Sequence, residues 1–158
     1  MRSHKLIAAF ALALGMAAPA VLVASPATAM ATSCLVELYD IDASNVAEQD
    51  GRDELRFLVQ GNLFPNNGAH NMRSGDDANP SDFGYPTGAI NNGVNVAFNL
   101  REVTRPALGQ GDSLGSAVAE AATCTGLSVG QTHIDTDIIS GTDETAYSYT
   151  VKLKLTGL

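Results

Sequence analysis

Hydrophobic and polar side chains alternate along several short stretches of the chain, a pattern that predicts β-strands. Between positions 53 and 64 the inward-facing side chains are Leu55, Phe57 and Val59. The pair Gly61-Asn62 then predicts a two-residue hairpin turn, because glycine readily supplies the positive φ that such turns need. Pro65 limits the return strand. We expect this hairpin to lie at the centre of the fold.

The same alternation predicts four more strands along the chain. They are Cys34–Ile41, Gly93–Val103, Gln131–Ile139 and Ala146–Leu155. The first should place Ile41 on the face opposite Cys34, and the second should point Val94 inward. Asp112–Thr123 fits either a strand or a helix, and we favour a strand. Seven or eight strands separated by turn residues predict an all-β protein, a single antiparallel β-sandwich.

One long segment, Pro65–Asn92, is rich in turn-forming Asn, Gly, Asp and Pro and predicts an irregular loop. A loop of this length in a small domain is unusual and often functional. Asp82, Phe83 and Tyr85 are its candidate partner-binding or ligand-binding residues. The alternative for the two aromatic residues is that they pin the loop to the sandwich.

The first 29 residues have the features of a cleaved secretory signal peptide. Arg2 and Lys5 precede a long apolar run, and Ala27-Thr-Ala29 matches a cleavage site. The alternative is an uncleaved signal anchor. We therefore divide the chain into a signal peptide, residues 1–29, and a β-sandwich domain, residues 30–158, and expect the domain to be secreted without a transmembrane anchor.

The expected domain is strongly acidic. Removing Arg2 and Lys5 leaves seven basic residues against seventeen acidic ones, a formal charge of −10. Such a surface disfavours nucleic acid and anionic lipid as partners. It favours cations or a basic partner, or it serves only to keep an exported protein soluble.

The chain contains two cysteines, Cys34 and Cys124. An even number of cysteines in an exported chain predicts a disulfide bond. The loop that it closes is long, so the bond should stabilise the fold by about 4–5 kcal/mol in the chain-entropy model. Lipid attachment at Cys34 is the alternative.

Gly111-Asp-Ser-Leu-Gly115 matches the G-x-S-x-G pattern and the GDSL signature of a group of lipases and esterases. Ser113 would be the nucleophile. A nucleophile elbow needs a strand before the serine and a helix after it, with an acid and a histidine nearby. Here a loop precedes the motif, and no D-x-x-H follows it, so a turn that opens a strand is the preferred interpretation.

Acidic residues at the predicted strand ends are candidate calcium ligands, because hard cations bind several carboxylates that converge from loops. Three pairs of acids at strand ends could meet at one rim of the sandwich: Asp40 and Asp42, Asp50 and Asp53, and Glu102 and Asp112. The candidate ligands chosen from them are Asp42, Asp50, Asp53 and Asp112. No EF-hand loop is present. Zinc is disfavoured, because only His70 and His133 remain in the domain and the cysteines are expected to be oxidised. We expect no cofactor, with calcium as the alternative.

Three blocks carry a resemblance to known proteins: Asp53-Glu-Leu-Arg-Phe-Leu-Val-Gln-Gly-Asn62, Val94-Asn-Val-Ala-Phe-Asn-Leu-Arg-Glu102 and Asp112-Ser-Leu-Gly115. They resemble small secreted β-sandwich proteins of filamentous high-GC bacteria, in an outline similar to a reduced C2 domain. A calcium-binding C2 domain would have D-x-D where this chain has Arg101-Glu-Val103. Some of the similar sandwiches are connector subunits of umbrella-type toxin particles, which implies binding to other chains.

These observations favour an exported, non-enzymatic module that binds another secreted protein or a cell-envelope component. One form of this hypothesis is a subunit of a larger secreted complex. The first alternative is a calcium-stabilised C2-like sandwich that binds a surface ligand or a carbohydrate. The more remote alternative is a hydrolase that uses Ser113.

Overall fold

The computed structural model describes residues 29–103 and 109–158. The expected signal peptide, residues 1–29, therefore lies outside the described residues except for its last position. The described part of the chain forms ten strands, one 3₁₀ helix and one short α-helix. The strands are β1 (Cys34–Asn45), β2 (Asp53–Val59), β3 (Asn62–Phe64), β4 (His70–Met72), β5 (Asp77–Ala78), β6 (Thr87–Ile90), β7 (Val96–Glu102), β8 (Asp112–Ala119), β9 (Thr132–Thr142) and β10 (Ala146–Gly157). The 3₁₀ helix spans Pro80–Phe83, and α1 spans Ala121–Thr125.

The strands form two antiparallel sheets, and the predicted β-sandwich is confirmed. The first sheet has the order β5-β1-β10-β9, with β6 also paired to β1. The second has the order β3-β2-β7-β8, with β4 also paired to β2. Both hairpins predicted near the centre and the end of the chain are therefore present, one in each sheet.

The core lies between the two sheets and consists of the alternating apolar side chains of the four long central strands. Those with no more than 2% exposure include Val36, Leu38, Leu55, Phe57, Val59, Val96, Phe98, Leu100, Tyr149, Val151, Leu153 and Leu155. Phe57 is at its centre, with its ring centroid 5.1 Å from that of Phe83 and 6.3 Å from that of Phe98, both edge to face. Such aromatic pairs stabilise a core beyond the area that they bury.

A β-bulge divides strand β1 into two halves. The register with β10 shifts between Leu38 and Asp40, so Tyr39 and the next residue both point outward. A bulge inserts one unpaired residue and reverses the alternation that follows it. Ile41 is therefore buried on the same face as Cys34, and its predicted outward orientation is wrong.

The central hairpin turns one residue earlier than the sequence predicts. Val59 pairs with Asn62, which leaves Gln60 and Gly61 as the two turn residues. Their φ angles are 47° and 85°, as a type I′ turn requires at both positions. Asn62 belongs to the return strand, and the predicted Gly61-Asn62 turn is corrected accordingly.

Residues 65–92 are more ordered than the predicted irregular loop. They contain β4, β5, the 3₁₀ helix and β6. Each strand of this segment pairs with the edge of a central strand: β4 with β2, and both β5 and β6 with β1. These strands could not be predicted from the sequence, because strands of two to four residues are too short to show an alternation.

Two further predictions change in detail. Val94 lies in the connection before β7 and is 64% exposed, so it does not face inward. Asp112–Thr123 is a strand as far as Ala119, as favoured, and α1 begins at Ala121.

The disulfide between Cys34 and Cys124 is confirmed and joins the start of β1 to α1. Its Cα–Cα distance of 5.9 Å is ordinary for such a bond. In the two described ranges, no helix combines the length and the apolar composition needed to cross a bilayer.

Candidate functional site

One end of the sandwich gathers three groups of residues, which we call the loop rim: residues 46–52 between β1 and β2, the described residues 103 and 109–111 between β7 and β8, and residues 143–145 between β9 and β10. Thr145 holds two of them together. Its backbone N–H donates to the Ala47 carbonyl at 2.7 Å, and its Oγ1 donates to the Val46 carbonyl at 2.6 Å. The disulfide lies at the opposite end of β1, and the buried side chains of Val46 and Ala47 anchor the β1–β2 loop in the core.

Three carboxylates converge at the loop rim and form what we call the glutamate cluster. Glu48 comes from the β1–β2 loop, Glu54 from the start of β2 and Glu102 from the end of β7, and each offers an oxygen within 4.8 Å of the others. Glu54 and Glu102 are only 6% and 3% exposed, whereas Glu48 is half-buried. Arg52 places its Nη2 atom 3.6 Å from Glu54 Oε1.

The cluster is electrostatically costly as a set of carboxylates. Burial raises the pKa of Glu48, and the charges of Asp50, Glu54 and Asp53 add to the rise, while a hydrogen bond with Glu102 opposes it. Several negative charges in a partly buried site disfavour one another. Arg52 beside Glu54 offsets part of this repulsion, and a proton on Glu48 or a cation among the three oxygens would lessen it further.

Asp53 lies beside the glutamate cluster but has a structural role. It is fully buried and accepts hydrogen bonds from the Ala47 N–H at 2.7 Å, the Glu48 N–H at 2.9 Å and the Tyr149 hydroxyl. Burial, together with this hydrogen bond, raises the pKa of Tyr149, so the phenol stays neutral. Asp53 thus fixes the β1–β2 loop that carries Glu48.

A second acidic group lies on the outer face of the first sheet and is called here the aspartate cluster. It consists of Asp40, Asp42 and Asp77. Lys152 Nζ lies 2.5 Å from Asp40 Oδ2 and 3.1 Å from Asp42 Oδ2. The hydrogen bonds to Asp40 and Asp42 raise the pKa of Lys152, so this lysine stays cationic and offsets part of the negative charge of the cluster. The hydrogen bond with Asp40 raises the pKa of Asp77.

The four calcium ligands expected from the sequence do not form one group among the described residues. Asp42 belongs to the aspartate cluster. Asp50 lies at the loop rim, where its Oδ1 accepts from the Arg52 N–H at 2.9 Å. Asp112 is exposed and pairs with Glu102 in the β7–β8 register. Of the four, Asp50 belongs to the loop rim, and Asp53 and Asp112 are the first residues of the strands that follow two of its connections.

The sequence reasoning missed the three glutamates as a group. Glu54 follows Asp53 in β2, next to the inward-facing Leu55, and its side chain is nevertheless buried. Glu102 and Glu48 are separated from it by 48 and 6 positions, and only the antiparallel pairing of β2 and β7 brings them together. The available signal was that all three are acids at strand ends or in the adjoining loop.

The glutamate cluster has the donor chemistry of a calcium site. Calcium takes six to eight oxygen ligands, mostly from carboxylates, backbone carbonyls and water. Three carboxylates from three separate segments would supply the charge, and the half-buried Glu48 leaves one side open to solvent. The residues present therefore fit a hard divalent cation.

Ser113 lies inside strand β8, not at a strand-to-helix turn. Its Oγ accepts a hydrogen bond from Asn99 Nδ2 at 2.7 Å. His133 Nε2 lies 3.2 Å from Asp135 Oδ1 on β9, whereas the ring of His70 packs against Phe83 with centroids 5.1 Å apart. The Gly111–Gly115 motif thus begins a strand, as preferred from the sequence.

The loop residues expected to contact a partner have three different environments. Phe83 is fully buried in the core and pins the 3₁₀ helix to Phe57. Asp82 accepts from the Asn79 N–H at 2.8 Å and so helps to cap that helix. Tyr85 is 66% exposed and, of the three, is the side chain that a ligand can reach.

Comparison with known proteins relates the fold to C2 domains. No protein-family model matches the chain, and no curated protein matches it. A solved structure of two C2 domains of Extended-Synaptotagmin 2 is similar, with a TM-score of 0.51 and 8% identity over 93% of this chain and 48% of that one. The chain thus spans about half of that structure. A C2 domain of plant Extended Synaptotagmin 1 gives a TM-score of 0.45 and 10% identity, over 82% of this chain and 97% of that one.

The first likeness confirms the C2-like outline that the sequence suggested. At 8% identity it shows the fold alone. Function must therefore be inferred from the residues of this chain.

Proposed function

We propose that the protein is an exported, non-enzymatic C2-like binding module whose loop rim binds calcium. The observation that carries this proposal is the convergence of Glu48, Glu54 and Glu102 within 4.8 Å at the end of the sandwich. The C2-like fold and the disulfide support the general role, because secreted domains commonly rely on disulfides.

We favour the glutamate cluster over the aspartate cluster as the calcium site, because the aspartate cluster already contains a lysine side chain. Lys152 contacts both Asp40 and Asp42 within 3.1 Å, and a calcium ion would have to displace or repel it. At the loop rim, the contact between Arg52 Nη2 and Glu54 Oε1 is longer, 3.6 Å.

Burial is the main cause of the raised pKa of Glu48, and the charges of Asp50, Glu54 and Asp53 add to it. The pKa of Asp77 in the aspartate cluster is raised as well, first by its hydrogen bond with Asp40, so the preference rests on the position of Lys152.

The test is a pair of thermal melts, one in calcium and one in excess EGTA. A ligand that binds only the folded state at a hundred times its dissociation constant stabilises it by about 2.7 kcal/mol, which corresponds to several degrees in a domain of this size. Glu48→Gln should abolish the calcium-dependent shift. The matched control is Asp77→Asn in the aspartate cluster, which should retain it.

Terbium provides an independent measurement because the chain has no tryptophan and Tyr149 donates its hydroxyl to Asp53 beside the cluster. Tyrosine-sensitised terbium luminescence should appear in the wild-type protein and be competed by calcium. Identical melts in calcium and EGTA, together with no luminescence, would refute the calcium part of the proposal.

A second candidate function is docking to another secreted protein, for example as a connector in a larger exported particle. The observation that favours it is on β9, the edge strand of the first sheet. Ile134 and Ile138 are 40% and 69% exposed there, and large apolar side chains at a sheet edge are typical of contact surfaces.

Native purification from culture supernatant with mass spectrometry tests this second function. A stoichiometric companion chain that is lost in Ile138→Asp would support it. A monomer without a companion would count against it and would leave the calcium proposal untouched.

A further inference from the structure

Apart from the loop rim, the structure has a groove on the outer face of the first sheet, midway along β1. Its volume is about 240 Å³, and its walls include Tyr39, Tyr85, Pro80 and Pro86. Tyr39 and Tyr85 are 53% and 66% exposed, and the other two tyrosines of the chain are not exposed. Both exposed tyrosines thus face one concavity, which we call the tyrosine groove.

Two separate backbone irregularities place these rings. Tyr39 occupies the β-bulge of β1, and bulges often redirect a side chain near a functional site. Tyr85 has a φ of 59°, which is a costly conformation for a bulky aromatic residue. The two irregularities are independent of each other, and both tyrosines line the same groove.

The segment around Tyr85 is held firmly. β5 and β6 pair with β1 on either side of the bulge, so residues 79–86 span the gap between them. The Leu38 N–H donates to the Pro86 carbonyl at 3.0 Å, and the Tyr85 N–H donates to the Pro80 carbonyl at 2.8 Å. The groove is therefore preformed, as small-molecule sites usually are.

The polar groups of the groove indicate a neutral ligand. Lys154 Nζ and Glu37 Oε2 form an ion pair of 2.7 Å at its wall, each about one-third exposed. An anionic ligand would meet Glu37 and the overall negative charge of the protein, and a cationic one would meet Lys154. The pair offers both a donor and an acceptor to hydroxyl groups without carrying net charge.

A strand-like peptide is a poor fit for the same place. Strand addition requires free backbone N–H and C=O groups at a sheet edge. Here the edge of β1 is already paired to β5, β6 and Pro86. The volume is also smaller than that of a site for a drug-sized ligand, which is about 300–1,000 Å³, so only one or two rings would fit.

We propose that the tyrosine groove binds a neutral saccharide, with the sugar ring stacked on Tyr39 and Tyr85 and its hydroxyl groups bonded to Glu37 and Lys154. A pyranose ring combines an apolar C–H face with equatorial hydroxyl groups, which matches the aromatic walls and the ion pair. The proposal rests on the binding role proposed above, but it uses no residue of the loop rim and no calcium.

The test is an NMR titration of the isotopically labelled protein with four neutral trisaccharides: chitotriose, cellotriose, maltotriose and mannotriose. At least one should shift the resonances of Tyr39, Tyr85 and Thr87 at millimolar concentration and saturate. Tyr39→Ala and Tyr85→Ala should each weaken binding by about tenfold. Val129→Ala, which removes an exposed side chain outside the groove, should bind normally.

The variant Tyr85→Gly distinguishes the contribution of the Tyr85 ring to binding from its contribution to stability. It should weaken binding as much as Tyr85→Ala does, while its melting temperature stays the same or rises, because glycine accepts the positive φ. The proposal is overturned if none of the four sugars shifts the groove residues, if both alanine variants bind as tightly as the wild-type protein, or if hexaproline shifts them where no sugar does.

Repeating the titration in calcium and in EGTA distinguishes the two proposals. Sugar binding should be equal in both conditions. A calcium-dependent melt without sugar binding would refute the groove alone, and sugar binding without a calcium-dependent melt would refute the loop rim alone.

Discussion

At the scale of single residues, Glu48 decides how the loop rim responds to pH. The pKa of its folded carboxyl is raised above the ordinary value of 4.5, mainly by burial. At pH values between the ordinary pKa and the raised one, the folded state binds more protons than the unfolded state. The free energy of unfolding therefore falls as pH rises through this range. Calcium would replace the proton and remove that loss.

The first prediction follows from this linkage. In EGTA, the melting temperature of the wild-type protein should fall relative to that of Glu48→Gln as pH rises from about 4 to about 7, because the amide cannot ionise. Saturating calcium should restore the melting temperature of the wild-type protein only near the upper end of this pH range. Parallel pH profiles for the two proteins in EGTA would contradict the assigned role of Glu48.

The second prediction concerns Asp53, which the sequence suggested as a metal ligand and the structure places under three hydrogen-bond donors. Asp53→Asn should destabilise the protein by about 2–3 kcal/mol in urea denaturation, because its NH₂ group cannot accept a hydrogen bond as the lost carboxylate oxygen did. Asp50→Asn, which keeps an oxygen for the exposed Arg52 N–H, should cost less than about 0.5 kcal/mol.

The variant Asp53→Asn also shows whether Asp53 binds calcium or only holds the β1–β2 loop in place. If Asp53 only holds the loop, Asp53→Asn lowers the stability in EGTA while the calcium-dependent increment persists. Loss of the increment with an unchanged baseline would instead make Asp53 a ligand.

At the scale of elements, the connection from β7 to β8 explains the glycine of the GDSL-like motif without catalysis. Gly111 has a φ of 75°, and a Cβ atom there would collide with the carbonyl oxygen of Glu102. Gly61 in the central hairpin has a similar φ of 85° but nothing within 4 Å of such an atom. The two glycines thus differ in crowding and share their backbone conformation.

The third prediction uses this matched pair. Gly61→Ala should cost about 1–2 kcal/mol, the penalty of the left-handed conformation alone. Gly111→Ala adds a backbone clash and should cost about 3 kcal/mol or more. It should also weaken any calcium-dependent shift, because Glu102 must move. Equal losses of stability in the two variants would show that the clash is relaxed.

The elements also show how far the sequence can be interpreted. Leu55, Phe57 and Val59 were identified because a strand buried on one face has a period of two. The bulge at Tyr39 was not, since alternation does not reveal an extra residue. Phe83 was ambiguous because a single aromatic residue among turn formers carries no period. The glutamate cluster depends on pairing between strands that are distant along the chain.

At the scale of the whole molecule, strand β1 connects the two ends of the sandwich. Its twelve residues span about 40 Å at the usual rise per residue. The disulfide fixes its first residue, Cys34, to α1. Its last residues lead directly into the β1–β2 loop of the loop rim. The two ends share no side chain, so a covalent constraint at one end and a cation at the other should act independently.

The fourth prediction tests that independence. The double variant Cys34→Ala, Cys124→Ala should lose about 3–5 kcal/mol of unfolding free energy, chiefly because its unfolded chain gains freedom. Mutational effects at distant sites usually add to within about 0.5 kcal/mol. The increment that calcium contributes in urea denaturation should therefore be the same with and without the disulfide. A smaller increment in the double variant would mean that the loop rim is preorganised through β1 by the constraint at its far end, and that calcium and the disulfide stabilise one cooperative unit.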